Sequence, residues 1–357
     1  MRRYTWPVVA TMLAALLAVV PAISPRYVVS LFTLVVITAL LAVSVNMLAG
    51  EVGLVSMGHA GISATAAYAL AWAARQQMDL TSQLGLALLF TLLISAVYGL
   101  TAMRTNGLVF LMITLALGIV VFGIAHKWSK VTGGQSGLTG IRRPEALADP
   151  HDFYFFSLAV AAIVLVALKC LARSPFGLML RGVRDSESRM TSLGYSTPAA
   201  KFAAMMVSGL VAGLAGVLGV WNSQFISPSV AAFDKSAMAV IIIIIGGVGV
   251  PLGPVIGAGL VVGIEHWLSS YVERWPTLLG LLFVGVVILM PRGIAGAIQG
   301  AGTTSHQSLP WSSWLRRPTA GKQGDPVPAG DSASTARRCS RSSTRKDDEK
   351  CGEVGSA

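Results

Sequence analysis

Long apolar runs separated by short polar segments dominate this sequence. The chain has 357 residues, of which 54% are hydrophobic and 12% are charged. Soluble domains carry about 25% charged residues, so this chain has too little charge to cover a water-exposed surface. A helix that crosses a bilayer needs about 20 mostly apolar residues, because no water is present there to bond its backbone. The sequence therefore predicts an all-α, polytopic membrane protein and argues against a cytosolic enzyme.

About ten runs have the length and composition of transmembrane helices. They cover residues 6–23, 27–49, 56–74, 84–102, 107–126, 153–172, 200–222, 236–250, 251–270 and 277–291. The third, eighth and ninth runs are either interrupted by glycine and proline or short. Some helices are therefore expected to be short or broken. The first run follows Arg2 and Arg3, as a signal peptide would, but no small-x-small cleavage pattern closes it, and we interpret it as a retained span.

The distribution of charge divides the chain into a membrane domain, 1–299, and a polar tail, 300–357. The tail holds 9 of the 27 Lys and Arg residues and has no apolar periodicity, so we expect it to be disordered in the cytosol. The basic loop 173–199 is typical of a cytosolic segment, and with ten spans this places both termini in the cytosol. The four basic residues of the 127–152 loop would lie outside and oppose this orientation.

Several classes of function lack support in the sequence. The net charge of +11 does not indicate a nucleic-acid partner, because most basic residues lie between apolar runs, where they orient helices in a bilayer. The cysteines form no C-x-x-C pair and no Cys/His spacing of a metal site; they are Cys170, Cys339 and Cys351. The sequence has no phosphate loop, nucleophile elbow or H-E-x-x-H motif. We therefore expect no catalytic residue, no metal and no bound cofactor.

Segment 173–201 is the most informative part of the chain. Ser174 followed by Pro175 is typical of a helix N-cap with proline at the first helical position. The first predicted helix carries an apolar stripe at i, i+3, i+4 and i+7, made of Phe176, Met179, Leu180 and Val183. A second short helix is predicted from Ser186 to Gly194. We expect another surface to receive the apolar face, with a helix lying flat on lipid headgroups as the alternative.

Two glycine-rich segments, 46–61 and 245–263, interrupt apolar runs. Irregular backbone at membrane depth occurs only where protein surrounds it or where it lines a wet cavity. We interpret these segments as pathway or hinge positions, namely Ser56, Gly58, His59, Gly246, Gly247, Gly249 and Gly253. The alternatives are that His59 is a hydrogen-bonded packing residue and that the glycines permit close helix contact, as the spacing Gly209-x-x-x-Gly213 also does.

Two further segments contain polar groups. Loop 132–140 is glycine-rich and predicted to lie outside, where it suits a tight turn or a docked partner; its relevant glycines are Gly133, Gly134 and Gly137. Glu265 and His266 form an ionisable pair near the end of the ninth run. Trp267 beside them indicates interfacial depth, so we assign this pair no role.

The order and spacing of these motifs resemble the M-type inner-membrane permease of bacterial branched-chain amino acid ABC importers, over residues 27–297. The matching pieces are Gly58-His59-Ala60, the loop from Thr132 to Ile141, Ser174-Pro175-Phe176-Gly177 through Leu193-Gly194, Gly246-Gly247-x-Gly249 through Gly253-Pro254, and Pro291-Arg292-Gly293. The Thr-Gly-Gly loop favours the M-type subunit over its H-type sister. The resemblance implies half of a translocation pore, completed by the H-type permease, with two ATP-binding cassette subunits below and a soluble binding protein above.

The resemblance also implies that the 174–194 helices couple the permease to the ATPase. The apolar stripe, together with Arg181, Arg184, Glu187 and Gly194, would then occupy a groove of the ATPase. ATP and Mg²⁺ would bind that partner and not this chain, and transport would proceed by alternating access. The family pattern does not include the polar tail, and Gly182 weakens the first helix by up to about 1 kcal/mol relative to alanine.

Three alternatives remain at this point. An ion-coupled secondary transporter would use His59 or the pair Glu265 and His266 as its proton site. A channel would use the glycine-rich breaks. An ABC permease of the same design could also carry urea, short amides or aromatic acids, because related permeases share these motifs.

Overall fold

The computed structural model describes residues 25–269, together with positions 277 and 280. The helices are α1 (Arg26–Met47), α2 (His59–Arg75), α3 (Leu80–Arg104), α4 (Gly107–Lys127), α5 (Ser129–Thr132), α6 (Pro150–Arg173), α7 (Pro175–Asp185), α8 (Glu187–Ser192), α9 (Thr197–Ser223), α10 (Phe233–Gly246) and α11 (Gly253–Ser269). Helix α1 continues into a π-helical turn over Leu48–Val52. Two short strands, β1 (Leu138–Thr139) and β2 (Phe225–Ile226), pair antiparallel. The expected span 6–23, nearly all of 277–291, and the tail 300–357 lie outside the described residues.

Five helical segments of the described chain are long and apolar enough to cross a membrane. They are Arg26–Val52, Leu80–Arg104, Gly107–Lys127, Pro150–Arg173 and Thr197–Ser223. Each corresponds to a predicted run, so these five candidate spans agree with the sequence analysis. The chain is thus a predominantly helical, multi-pass membrane protein over the residues described.

Two predicted spans form shorter helices than expected, α2 and α10. The runs 56–74 and 236–250 become α2 and α10, with 17 and 14 residues, and the run 251–270 corresponds to α11, of which Gly253–Ser269 are described. A 17-residue helix is about 25 Å long, which is less than the ~30 Å thickness of a hydrocarbon core. The glycine-rich segments shorten these two helices, because they replace the first turn of α2 and the end of α10. About ten full spans are therefore not confirmed.

Helix α9 lies at the centre of the packing, and its small residues allow neighbouring helices to approach closely. A Cβ atom at Gly209 would overlap the side chain of Ser95 on α3, and one at Gly213 would overlap Thr91 on the same helix. In a bilayer the hydrophobic effect does not drive helices together, because lipid tails are also apolar. Close van der Waals contact of this kind therefore contributes to helix association. The predicted packing role of the Gly209-x-x-x-Gly213 spacing is confirmed.

Helices α10 and α11 share a separate apolar core with α1. The buried residues of this core include Ala39, Ala42 and Val45 on α1, Ile242 on α10 and Val261 on α11. The other two cores join α1 to the remaining helices. The α10–α11 pair is thus attached to the bundle mainly through α1.

The loops collect at two ends of the bundle. At one end, called here the hairpin end, Asn106 before α4 contacts Glu187 of α8, and Arg184 of α7 contacts Gly50 of the π-helical turn. At the opposite end, β1 from the 128–149 loop pairs with β2 after α9. This arrangement places the start of α4, the 173–199 segment and the end of α1 together, as the predicted topology requires.

Candidate functional site

The predicted pair of amphipathic helices is present as α7 and α8. The Ser174 hydroxyl oxygen accepts a hydrogen bond from the Gly177 backbone N–H at 3.4 Å, and Ser186 caps α8 in the same way through the N–H of Arg189. Gly194, two residues after α8, has φ +88°, a left-handed conformation that favours glycine. The local caps therefore form as the sequence predicts, and they define an α7–α8 hairpin over residues 174–194.

The apolar stripe of α7 packs against this chain itself. Leu180 is 1% exposed and Val183 is 5% exposed, in a core shared with the end of α1 and with α3, α4 and α9. Phe176 and Met179 are partly buried against the same core. The expectation that an ATPase groove receives this stripe is therefore corrected, since the chain's own helices receive it. The reason is that the π-helical turn and the start of α9 leave an apolar surface beside α7.

Two arginines of α7 attach the hairpin to the π-helical turn after α1. Arg184 donates a hydrogen bond to the backbone oxygen of Gly50. Arg181 donates to the Ala172 backbone oxygen at 2.8 Å, and its Nε lies 3.8 Å from the Glu51 carboxylate. The Arg181–Glu51 pair is partly exposed, so it contributes little by itself. The Arg184 bond satisfies a backbone acceptor where the regular helix ends.

Glu187 attaches the other half of the hairpin to α4 and α9. Its carboxylate lies 2.6 Å from the Lys201 ammonium, 2.8 Å from the Asn106 amide nitrogen and 3.3 Å from the Thr197 hydroxyl. Burial raises the pKa of Glu187, but the hydrogen bond and charge of Lys201 and the bonds from Asn106 and Thr197 outweigh it, so the pKa lies below its ordinary value. Asn106 also accepts a bond from Lys201.

Asn106 and Lys201 are not among the site residues that the sequence predicts. The Lys201 side chain is 3% exposed, so it is a buried cation with a defined partner and not a solvated loop charge. The only signal in the sequence is that Asn106 is a polar residue between two apolar runs, which does not reveal its contact with Glu187.

The outward face of the hairpin remains uncovered. Leu178 is 68% exposed, Leu193 is 66% exposed and Tyr195 is 50% exposed. These apolar side chains lie on α7 and just after α8, on segments whose opposite face is fastened to the bundle. The side of the hairpin available to another protein is thus the one opposite the predicted stripe.

His59 lies inside the bundle and has no exposed surface. Its Nε2 atom is 2.6 Å from the Ser208 hydroxyl oxygen, which itself donates to the Ser44 backbone oxygen at 2.7 Å. Because a backbone oxygen can only accept, the Ser208 proton is used there, and Nε2 of His59 must be the donor to Ser208. His59 is therefore a hydrogen-bonded packing residue that joins α2 to α9 and, through Ser208, to α1.

Ser56 and Gly58 form the entry to α2. The Ser56 hydroxyl accepts from the Gly58 backbone N–H at 3.3 Å, and Thr114 on α4 accepts from the Met57 N–H at 3.2 Å. A Cβ atom at Gly58 would overlap the Tyr98 ring of α3. These contacts satisfy the irregular backbone within the protein, as membrane depth requires. The structure thus brings Gly58 and His59 together with α3 and α9; a role in the pathway stays a prediction.

The second glycine-rich segment forms the turn between α10 and α11, residues 247–252. Gly247 has φ +108° and Gly249 has φ +79°, conformations that disfavour other residues. A Cβ atom at Gly253 would lie 2.7 Å from the Gly247 backbone oxygen, and one at Gly246 would overlap Gly253. The glycines therefore permit a close helix-to-helix turn; their action as a hinge is still a prediction.

The glycine-rich loop at the opposite end is a tight turn. Gly133, Gly134 and Gly137 have φ of +74°, +58° and +70°. The Thr132 hydroxyl donates to the Ala125 backbone oxygen at 2.7 Å and fastens the turn to α4. A Cβ atom at Gly137 would overlap the backbone of Ile226, the residue opposite Leu138 in the β1–β2 pair. The tight-turn interpretation is confirmed, and docking of a partner here is untested.

Arg143 is one of the four basic residues of the 127–152 loop that oppose the predicted orientation, and the structure gives it defined partners. It donates hydrogen bonds to the backbone oxygens of Trp221 and Asn222, near the C-terminus of α9, and its guanidinium carbon lies 4.5 Å from the centre of the Phe153 ring. A cation at a helix C-terminus satisfies free carbonyls and the helix dipole. This arginine therefore has a structural role in the loop.

Within residues 25–269 no group of three or more His, Cys, Asp or Glu side chains is arranged to hold a metal ion. Glu265 and His266 lie on α11 and are half-buried. The candidate site is thus a set of packing and hydrogen-bonding contacts around the α7–α8 hairpin and the two glycine-rich segments.

Comparisons with known proteins identify the family. A family model described as branched-chain amino acid transport system / permease component matches residues 27–291. The high-affinity branched-chain amino acid transport system permease protein LivM of Escherichia coli (strain K12) is 26% identical over 302 residues, which cover 77% of this chain and 71% of LivM. LivM of Salmonella typhimurium (strain LT2) is 26% identical over 294 residues, covering 74% and 69%.

A further relative has the name LivH. The probable branched-chain amino acid transport permease protein LivH of Methanocaldococcus jannaschii is 26% identical over 199 residues, covering 51% of this chain and 62% of the relative. No solved structure matches the chain. Because the family model covers most of the chain and the relatives are transport permeases and not enzymes, this chain belongs to the branched-chain amino acid transport permease family.

Proposed function

We propose that this chain is the M-type membrane subunit of an ABC importer for branched-chain amino acids. It would form half of the translocation pathway in a bacterial inner membrane, and an H-type permease would form the other half. Family membership and the five candidate spans support this proposal. His59 does not favour the ion-coupled alternative, because it is fully buried and its Nε2 atom is bonded to Ser208.

The outward face of the α7–α8 hairpin is the proposed contact for an ATP-binding cassette subunit. The observation that carries the proposal is the exposure of Leu178, Leu193 and Tyr195 on a hairpin whose other side is fastened to the bundle. A partner that covers these side chains gains apolar burial. Because Glu187 and Arg184 fasten the hairpin, displacement of this face would displace α9 and the end of α1.

The remaining partners follow from the same arrangement. The hairpin end would face the cytosol, with both chain termini on that side and two ATP-binding cassette subunits below. ATP and Mg²⁺ would be held by those subunits and not by this chain. A soluble substrate-binding protein would dock at the opposite end, where the 128–149 loop and β2 lie.

Transport would then proceed by alternating access. Nucleotide-driven closure of the ATPase pair would move the hairpin, and the hairpin would tilt α1, α4 and α9 relative to the other permease. No side chain of this subunit needs to react with substrate. The amino acid would be selected mainly by the binding protein, so urea, short amides or aromatic acids are the alternative cargo.

A test uses the chain co-expressed with the sister permease and ATPase of its host. We expect Leu193→Asp to lower the amount of ATPase that co-purifies, because it places a charge in the proposed apolar contact. Phe225→Asp at the opposite end is the control and should retain the ATPase. Equal ATPase recovery for both variants would contradict the proposed contact.

Uptake measurements separate the transport classes. In proteoliposomes with the binding protein, leucine uptake should require ATP on the side of the membrane that holds the hairpin and the ATPase. This uptake should persist when a protonophore is added. Uptake that collapses with the protonophore while ATP is present would support the ion-coupled alternative, and ATP-independent downhill flux would support a channel. The ligand that co-purifies with the binding protein identifies the cargo.

A further inference from the structure

The two glycine-rich segments contact each other through their backbones. A Cβ atom placed on Gly50 would lie 2.7 Å from the Cα atom of Gly249, although the two residues are far apart in sequence. Gly50 lies in the π-helical turn after α1, and Gly249 has φ +79° in the turn between α10 and α11. Any side chain at Gly50 would separate these turns, so glycine is required for the contact.

Asn46, in the last turn of α1, binds the 247–252 turn with both ends of its amide. Its Oδ1 atom accepts a hydrogen bond from the Gly249 backbone N–H at 2.8 Å, and its Nδ2 atom donates to the Val250 backbone oxygen at 3.2 Å. Asn46 is 7% exposed, and the groups that it binds belong to non-helical backbone. A buried backbone group without a partner is costly, so this side chain supplies bonds that the turn cannot make internally.

The hairpin reaches the same point from the other side. Arg184 of α7 donates to the Gly50 backbone oxygen, and a Cβ atom at Gly53 would lie 2.7 Å from the Arg184 Cγ atom. Gly50 is therefore in contact with Arg184 on one side and with Gly249 on the other. A continuous path of contacts leads from the hairpin to the α10–α11 turn.

We propose that Asn46 and Gly50 are positioning residues that link the α7–α8 hairpin to the α10–α11 turn. A displacement of the hairpin moves Gly50 through Arg184, and the Asn46 bonds carry the 247–252 turn with it. The separate core that α10 and α11 share with α1 favours this joint movement. The role of the link in transport rests on the proposed function, whereas the link itself is testable in this chain alone.

Hydrogen exchange of the full chain in lipid nanodiscs tests the link. Arg184→Met removes the bond to Gly50 but does not itself contact the 247–252 turn. We expect it to raise amide exchange in 247–252 by about tenfold, the factor that corresponds to one lost hydrogen bond. Arg189→Met, which alters an exposed arginine on α8, is the control and should leave this exchange unchanged.

A double variant tests whether Asn46 carries the effect. Asn46→Leu alone should raise exchange in 247–252, and Arg184→Met should add little to it, because the path is already broken. Asn46→Asp retains the acceptor for the Gly249 N–H and should give a smaller effect. Faster exchange in residues 48–54 without a change in 247–252 after Arg184→Met would overturn the link, as would full additivity of the two substitutions.

The transport role is measured in the reconstituted complex as leucine taken up per ATP hydrolysed. Asn46→Leu should lower this ratio about tenfold while ATP hydrolysis continues. Protection of α4 amides, residues 107–127, verifies that the variant is folded. An unchanged ratio would overturn the transport role of Asn46. If no ATPase binds the chain, the proposed function fails, but the exchange response to Arg184→Met would still establish the link.

Discussion

The Lys201 ammonium nitrogen lies 2.6 Å from the Oε1 atom of Glu187 and joins the start of α8 to the start of α9. The lysine side chain is 3% exposed, whereas the glutamate side chain is 34% exposed. The two members of the pair therefore differ in what their removal leaves behind. This difference, and the contacts around it, lead to predictions about stability and coupling.

Loss of Glu187 should be more damaging than loss of Lys201. Glu187→Ala leaves a buried ammonium without its carboxylate, and we expect it to lower the free energy of unfolding by roughly 1–3 kcal/mol. Lys201→Met removes the buried charge together with its need for a partner, so the loss should be smaller. Thermal unfolding in nanodiscs measures both. An equal or larger loss for Lys201→Met would contradict the prediction that an unpaired Lys201 ammonium is the main cost of removing Glu187.

The Glu187 contacts should weaken in acid. Because the pKa of Glu187 is lowered in the fold, its contribution to stability is fully present above the unfolded carboxyl value, near 4.3, and is lost as the pH falls through the lower folded value. The midpoint of thermal unfolding of the wild type should therefore approach that of Glu187→Gln as the pH is lowered. A constant difference between the two proteins at every pH would contradict this assignment.

The double variant Arg184→Ala with Glu187→Ala should uncouple ATP hydrolysis from uptake. Both side chains fasten the hairpin to the bundle, to Gly50 and to Lys201, so movement of a loosened hairpin is no longer passed to the helices. Uptake into vesicles should fall about tenfold or more, as expected for the loss of at least one bond. Immunoblots of the membrane fraction control for the amount of protein. Unchanged uptake would refute the prediction.

Gly209→Val should destabilise the contact between α9 and α3. The new side chain would overlap Ser95, and overpacking of this kind costs about 1–3 kcal/mol. Gly123→Val on α4 is a matched control, because nothing lies within 4 Å of the Cβ position there. Thermal unfolding of both variants in nanodiscs separates packing from helix propensity. Similar losses at the two positions would argue against close packing at Gly209.

Ser208→Ala should destabilise the centre of the bundle. It leaves the Nε2 atom of His59 and the Ser44 backbone oxygen without the hydroxyl that joins them, at a cost of about 1–3 kcal/mol. Ser192→Ala on the exposed α8 removes only a local bond to Ser188 and should change little. If thermal unfolding finds no difference between these variants, the chain from His59 to Ser44 does not contribute to stability.

Much of the local structure could be predicted because its causes lie within a few residues. Apolar runs of sufficient length identified the five candidate spans, and Ser174-Pro175 and Gly194 identified the limits of the hairpin. Glycine spacing identified the close contact at Gly209. These signals depend on helix geometry, on capping and on glycine, which has no side chain. Residues that are neighbours in the sequence determine all three.

The identity of the surface that receives an apolar face could not be predicted in this way. The stripe through Leu180 and Val183 has the same pattern whether it binds another protein or its own chain. Similarly, the pattern around Asn46 does not show that its amide binds Gly249, about 200 residues later. The sequence by itself determined the membrane helices, their caps and their breaks. Only the tertiary structure decided which breaks and charges meet, because those contacts depend on how helices distant in sequence pack together.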